Sequence, residues 1–129
     1  MRLLLDTHAF LWFVLGDSKL PNLARTLIEN PENQVYLSLA SVWEMTIKHS
    51  LGKFPLDRPI EQFILRETSR NDISLFGVQT QHIFGLLDLP QTHRDPFDRI
   101  IAAQSKVEGF VLLSADEAFN RLGVLRQWS

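Results

Sequence analysis

The sequence contains no cysteine among its 129 residues. This excludes a disulfide framework, a thiolate metal site and a cysteine nucleophile, and it fits a protein of the reducing cytoplasm. Long apolar runs are also missing, since no uninterrupted stretch approaches the roughly 20 residues that a membrane span requires. The apolar start of the chain is interrupted by Asp6, Thr7 and His8, so we interpret it as mature structure and not as a signal peptide.

An excess of positive charge is missing as well. The chain has 13 Lys and Arg against 15 Asp and Glu, a net charge of −2, whereas a passive nucleic-acid-binding module is usually strongly basic. The net charge argues less strongly against a nuclease, because clustered catalytic acids would cancel the positive charge of a basic substrate-binding surface. With 45% hydrophobic and 22% charged residues, the composition and size predict one globular domain over residues 1–129.

Short apolar runs bounded by turn residues predict four strands, three of them buried on both faces and the one at Ile73–Phe76 a weaker pattern. These are Arg2–Leu5, Gln34–Ser38, Ile73–Phe76 and Phe110–Ser114, and the segment VLRQW near the end predicts a fifth. Helical patterns lie between them, over Thr7–Leu15, Pro21–Glu29, Leu39–Leu51, Pro59–Arg70, Gln79–Leu87, Pro96–Val107 and Glu117–Leu122. This alternation predicts an α/β protein, a three-layer α/β/α sandwich around a mostly parallel sheet of four or five strands.

Acidic residues follow the predicted strands, at the edge where parallel sheets gather their ligands. Asp6 ends the first strand, Glu44 lies in the first turns after the second, Asp95 and Asp98 open a helix, and Asp116 follows the last clear strand. Two carboxylates ~4 Å apart repel by about 4 kcal/mol at an effective dielectric constant of roughly 20, so such a cluster requires protonation or a cation. Mg²⁺ or Mn²⁺ meets this need, because hard divalent cations take oxygen ligands.

Each acid also has a purely structural interpretation. The aspartates all stand at helix starts, where a carboxylate caps exposed N–H groups and suits the helix dipole. Glu44 can complete a capping box with Ser41 or pair with Lys48 one turn later. The local patterns leave both interpretations open at every single position. Only the conjunction of the acids favours metal-assisted hydrolysis of phosphodiesters, in which a cation activates water.

The segments LLLDTH, SLASVWEMTIK and DPFDRIIAAQSKVEGFVLLSAD resemble the PIN-domain ribonucleases, and in detail the VapC-type toxins of bacterial toxin–antitoxin pairs. The resemblance covers essentially the whole chain and implies a PIN-like fold. It implies a catalytic quartet of Asp6, Glu44, Asp98 and Asp116, in which the three aspartates bind Mg²⁺ or Mn²⁺. Glu44 then supports a second metal or positions water. The implied activity is a magnesium-dependent endoribonuclease that leaves 5′-phosphate and 3′-hydroxyl ends.

Further residues around the quartet are candidates for supporting roles. The resemblance implies that Thr7 and Ser114 orient a ligand or water, and that Asp95 either adds charge or simply caps its helix. Substrate phosphates need positive partners, and the residues that flank the acids are candidates, although solvated surface charge explains any single one: Lys48, Lys53, Arg94 and Arg99. The histidines show no paired ligand spacing, and we expect none of them to bind metal: His8, His49, His82 and His93.

Apolar residues on two helices exceed what one buried stripe requires. They are Trp12 and Phe13 in the first helix and Trp43 and Ile47 in the third. Core packing explains most of them. The resemblance assigns the remainder to a homodimer contact or to the groove for a segment of a cognate antitoxin, and it implies RNA as the substrate.

Two other functions compete with the endoribonuclease. A phosphatase that forms an aspartyl-phosphate usually has Asp-x-Asp after the first strand, but His8 stands at the third position here. A non-catalytic RNA- or protein-binding PIN-like scaffold is expected to have lost at least one acid of the quartet, whereas this chain has all four. The endoribonuclease is therefore the preferred prediction.

Overall fold

Five strands form one sheet in the computed structural model, which describes residues 1–129. Their bounds are Arg2–Leu5 (β1), Gln34–Ser38 (β2), Ile73–Phe76 (β3), Val111–Leu113 (β4) and Arg126–Gln127 (β5). The order in the sheet is β3-β2-β1-β4-β5, and all neighbouring strands are parallel. The predicted α/β fold is confirmed. β4 is shorter than predicted because the N–H of Phe110 donates to the Ser105 carbonyl, at 2.9 Å, and not to a strand.

Six α-helices connect the strands: Thr7–Val14 (α1), Asn22–Glu29 (α2), Leu39–Ser50 (α3), Ile60–Arg70 (α4), Thr80–Phe84 (α5) and Pro96–Glu108 (α6). Two predicted α-helices are wrong in part. The segment Gln79–Leu87 divides into the short α5 and a 3₁₀ turn at Gly85–Asp88, and Glu117–Leu122 is 3₁₀ throughout. Such short segments gain few α-helical hydrogen bonds, which favours the tighter 3₁₀ form. None of the helices has both the length and the apolar composition needed to cross a membrane.

Helices cover both faces of the sheet because successive strand residues point to opposite sides. Leu3 and Leu5 of β1 pack in a cluster with residues of α1, α2 and α4. Leu4, between them, packs in a second cluster with residues of α6. All three leucines are fully buried. The two apolar clusters thus enclose the sheet and produce the three layers.

β1 lies at the centre of the sheet, between β2 and β4. The chain first adds strands on one side of β1, as β2 and β3, and later on the other side, as β4 and β5. Connections therefore leave the carboxyl ends of β1 and β4 in opposite directions, which opens a crevice where ligands of parallel sheets bind. Leu5 pairs with Leu113 in the register, so the next residues, Asp6 and Ser114, both enter this crevice.

α6 begins at the predicted residue, Pro96, and extends one residue beyond the predicted end, to Glu108. Asp95 Oδ1 accepts hydrogen bonds from the N–H groups of Phe97 and Asp98, at 2.9 and 3.1 Å, and Pro96 occupies the first helical position. Gly109 ends the helix in the left-handed conformation, with a φ of 71°, which glycine adopts without steric cost. Asp95 is thus the observed cap, and the carboxylate of Asp98 is left for other contacts.

Candidate metal centre

Asp6 lies in the crevice between β1 and β4 and is only 8% exposed. Its Oδ1 accepts a hydrogen bond from the N–H of Ala9 at 2.7 Å and caps α1. Its own N–H donates to the Leu113 carbonyl at 3.1 Å, which ties the end of β1 to β4. The capping and ligand interpretations of Asp6 are compatible, because a carboxylate offers two oxygens and about four acceptor sites.

Asp98 faces a second acid and an imidazole. Its Oδ2 is 2.9 Å from Nε2 of His93, and ligand atoms of His93, Asp98 and Asp116 all lie within 4.8 Å of one another. Asp116, in the turn after β4, is exposed and also accepts a hydrogen bond from the N–H of Ala118 at 2.9 Å. Three separate segments of the chain therefore bring together a group of side chains that can hold a metal ion.

Glu44 of α3 is a buried acid, and both of its carboxylate oxygens are held by other side chains. Thr7 Oγ1 donates to its Oε1 at 2.6 Å, and Lys48 Nζ contacts its Oε2 at 3.1 Å. The alternative capping box with Ser41 is not formed, since Ser38 caps α3 and the Ser41 hydroxyl has no partner. Glu44 is thus held in place from α1 and from its own helix.

Burial raises the pKa values of Asp6 and Asp98 above the ordinary aspartate value. Hydrogen bonding opposes this rise in pKa, through Ser114 for Asp6 and through His93 for Asp98. Charge repulsion adds to it, because Asp98 raises the pKa of Asp6, and Asp95 and then Glu44 raise the pKa of Asp98. These acids therefore act on one another across the crevice, and a cation among them offsets both burial and repulsion.

The donor atoms fit a divalent cation. Asp98 and Asp116 offer carboxylate oxygens within one cluster. Asp6 lies outside that cluster but interacts by charge with Asp98 and by a hydrogen bond with the Ser114 hydroxyl. Mg²⁺ and Mn²⁺ take ligands of this type. The raised pKa values agree, since carboxylates that are destabilised as anions gain most from a bound cation.

The predicted phosphate contacts differ in their surroundings. Lys48, Lys53 and Arg94 are exposed. Arg99 is half-buried, and its guanidinium donates to three carbonyls before α6, those of Leu86 at 3.5 Å, Pro90 at 2.7 Å and His93 at 2.9 Å. The structure thus shows that Arg99 anchors this loop, and its contact with a substrate phosphate stays a prediction.

His93 is a member of the cluster that the sequence analysis missed. Its ring stacks on Phe119, with centroids 5.8 Å apart and planes at 26°, and its carbonyl is held by Arg99 at 2.9 Å. The expectation that no histidine binds metal depends on paired histidine spacing, whereas His93 clusters with two acids, one of which, Asp116, comes from a distant segment. The only local signal is the stretch HRDPFD, which places a histidine just before a capped helix.

Residues 3–125 match the PIN domain family model. The chain belongs to the PIN domain family. A stretch of 64 residues is 30% identical to Ribonuclease VapC16 of Mycobacterium tuberculosis (strain ATCC 25618 / H37Rv), and this stretch spans 47% of the chain and 45% of that relative. The predicted resemblance to PIN-domain ribonucleases is confirmed at the level of the family.

Solved structures share this PIN fold along the chain. VapBC2 from Rickettsia felis, bound to a DNA fragment from their promoter, has a TM-score of 0.74 at 17% identity, and the match covers 100% of both chains. A toxin-antitoxin complex from Klebsiella pneumoniae has a TM-score of 0.58 at 16% identity, covering 88% of this chain and 86% of that chain. At these identities the similarity establishes the fold.

Proposed function

We propose that this PIN-domain protein is a magnesium- or manganese-dependent endoribonuclease and the toxin of a toxin–antitoxin pair. The observation that carries the proposal is the surroundings of Asp98, which clusters with Asp116 and interacts by charge with Asp6 and Glu44. The mycobacterial relative is a ribonuclease, which supports RNA as the substrate. The position of the acids at the switch point of a parallel sheet supports a ligand site there.

The three aspartates would hold the metal. When bound, the ion would lower the pKa of a water and stabilise the charge that develops on a phosphoryl oxygen. Two of the ligands are oriented in advance, Asp6 by its bond from Ala9 and Asp98 by its contact with His93. Because these side chains are already held in place, they lose little conformational entropy when an ion binds.

Glu44 is assigned to positioning the attacking water or to supporting a second metal. Thr7 and Lys48 occupy one acceptor site on each of its oxygens, and the remaining sites can accept a proton from water. The charges that contact the substrate phosphates are assigned to Lys48 and Arg94, which are exposed beside the acids.

Chelation of metal is the direct test of this function. The purified protein is expected to cleave RNA with Mn²⁺ or Mg²⁺, and EDTA is expected to slow cleavage by at least about 10³-fold, since a catalytic metal supplies several kcal/mol and each 1.4 kcal/mol is tenfold in rate. Denaturing gels of total RNA measure the rate, and end-specific ligation identifies the predicted 5′-phosphates. Restoration by added metal is the control. Undiminished cleavage in EDTA would contradict the proposal.

The second part of the proposal concerns partners. An apolar groove of ≈ 440 Å³ lies between α3, α5 and α6, and its walls include Trp43 of α3 and Phe97 of α6. Trp43 is 63% exposed and meets Phe97 edge-on, with centroids 5.1 Å apart. Next to the groove, Phe84 and Leu87 are 64% and 84% exposed. We assign this face to a second copy of the chain, because a twofold axis can seat such protruding side chains of each copy in the groove of the other.

Disruption of this groove is expected to dissociate the dimer. Trp43→Asp places a charge in the apolar contact, and loss of a buried tryptophan typically costs 2 kcal/mol or more, which predicts a dissociation constant about 30-fold higher. Light scattering after gel filtration measures the mass. Leu125→Asp changes a residue that is equally exposed, at 67%, but lies on β5's side of the sheet, and should leave the dimer intact. A monomeric wild-type protein at micromolar concentration would refute the assignment.

The antitoxin is the other proposed partner. The solved structure from Klebsiella pneumoniae is a toxin-antitoxin complex, and a PIN-domain toxin needs an inhibitor in the cell that makes it. A reading frame just upstream that encodes a small DNA-binding protein would identify this partner.

A further inference from the structure

His93 offers a nitrogen donor among the oxygen donors of the acidic site. We propose that its Nε2 atom is a direct ligand of the metal, beside Asp98 and Asp116, and that the site therefore favours transition-metal ions such as Mn²⁺ over Mg²⁺. The inference rests on the proposed metal-dependent function and gives that same site a metal preference.

The separations of the donor atoms fit an ion between them. Nε2 of His93 and Oδ2 of Asp98 are 2.9 Å apart, and neighbouring ligands of an octahedral ion with bonds of roughly 2.1 Å are about 3 Å apart. The ligand atoms of His93, Asp98 and Asp116 lie within 4.8 Å of one another, and ligands on opposite sides of such an ion are about 4.2 Å apart. The three donor atoms are thus close enough together that one ion could be held among them.

The His93 ring is held in position before any ion binds. Phe119 stacks on one face of it, and Arg99 fixes its backbone carbonyl. Only 15% of the His93 side chain is exposed. A ligand that is already ordered loses little conformational entropy on binding, which raises affinity for the ion.

The other histidines have different environments. Both ring nitrogens of His82 are engaged, one accepting from the N–H of Gln79 at 2.9 Å and the other 2.7 Å from Glu108. His49 contacts the Phe54 carbonyl at 2.7 Å. His8 is exposed and packs on Trp12, with ring centroids 5.6 Å apart. Of the four histidines, His93 alone belongs to the cluster.

A nitrogen ligand changes which metals a carboxylate site prefers. Mg²⁺ is a hard cation that takes oxygen ligands and dehydrates reluctantly, whereas imidazole suits transition metals. In the neutral ring one nitrogen bears the proton and the other a lone pair. In this structure Nε2 donates to Asp98. To bind a metal the ring would carry its proton on Nδ1, so that the Nε2 lone pair would bind the ion in place of that hydrogen bond.

Pulsed electron paramagnetic resonance of bound Mn²⁺ tests this assignment directly, because a directly bonded ¹⁴N produces a characteristic modulation. The full-length wild-type protein, His93→Gln and His8→Gln are each loaded with Mn²⁺ and measured. Calorimetric titration with Mn²⁺ and with Mg²⁺ gives the affinities, and circular dichroism confirms folding. His8→Gln is the matched control, since His8 lies two residues after Asp6 but outside the cluster.

The wild-type protein and His8→Gln are expected to show directly bound ¹⁴N, and His93→Gln is expected to lose it. Mn²⁺ affinity should fall by about 10-fold or more in His93→Gln, and Mg²⁺ affinity by less. Bound Mn²⁺ without a nitrogen ligand in the wild type would overturn this inference and leave the metal-dependent function standing. Persistence of the nitrogen signal in His93→Gln would also overturn it. Absence of any Mn²⁺ binding would overturn both.

Discussion

Asp98→Asn is expected to lower the RNA cleavage rate by about 10³-fold or more. The substitution keeps the size and the capping geometry of the first turn of α6, but it removes one negative charge from the proposed metal ligands. Metal-ion catalysis supplies several kcal/mol to the transition state, and each 1.4 kcal/mol is tenfold in rate. Single-turnover cleavage of total RNA at saturating Mn²⁺ measures the effect. Asp6→Asn is expected to behave in the same way.

Asp95→Asn is the informative comparison, because Asp95 lies one turn from Asp98 and its Oδ1 is engaged in two capping hydrogen bonds. Asparagine caps a helix as well as aspartate does, so the loss of rate should be much smaller. Glu117→Gln, beside Asp116 in the chain, controls for the removal of any nearby charge. Full activity of both Asp6→Asn and Asp98→Asn, in folded protein, would end the proposed mechanism.

In the absence of metal, Asp98→Asn is expected to stabilise the folded protein, although it lowers the cleavage rate. In EDTA at pH 7, Asp98→Asn should unfold at a higher temperature than the wild type. Burial raises the pKa of Asp98 in the folded protein above the ordinary value of 3.8, so its charged form opposes folding. A neutral asparagine removes that penalty. Thermal unfolding followed by circular dichroism gives the comparison.

The dependence on pH follows from the sign of this shift. A carboxyl group whose pKa is raised in the folded protein stabilises the fold when the pH lies below its unfolded-state pKa of 3.8. This stabilising contribution is lost as the pH rises through the folded-state pKa. The advantage of Asp98→Asn should therefore be largest at neutral pH and shrink as pH falls toward 4. An advantage that grew on acidification would contradict the assigned cause.

Added Mn²⁺ should reverse the order of the two proteins. A ligand at a hundredfold excess over its dissociation constant stabilises the folded state by about 2.7 kcal/mol. The wild type should gain this stability, and Asp98→Asn should gain much less because its site lacks one charge. Equal stabilisation of both proteins would place the bound ion elsewhere.

Much of the fold could be predicted because it depends on local patterns. β1, β2 and β3 have the predicted bounds, since each is a short apolar run between turn residues. The cap at Asp95 follows from hydrogen bonds that span only a few residues. The predicted 3.6-residue periodicity failed in Glu117–Leu122, where six residues are too few to favour the α-helix over the 3₁₀ form.

The order of residues along the chain sets which acids follow which strands, and the alternation of strands and helices places those acids at one edge of a parallel sheet. The contacts that each side chain makes there depend on how the helices and strands pack. Thr7 and Glu44 are 37 residues apart in the chain and bond at 2.6 Å, Arg99 turns to carbonyls of its own loop, and His93 joins the acids. Contacts of this kind form when whole elements pack, and no spacing within a short segment encodes the direction in which a side chain then points.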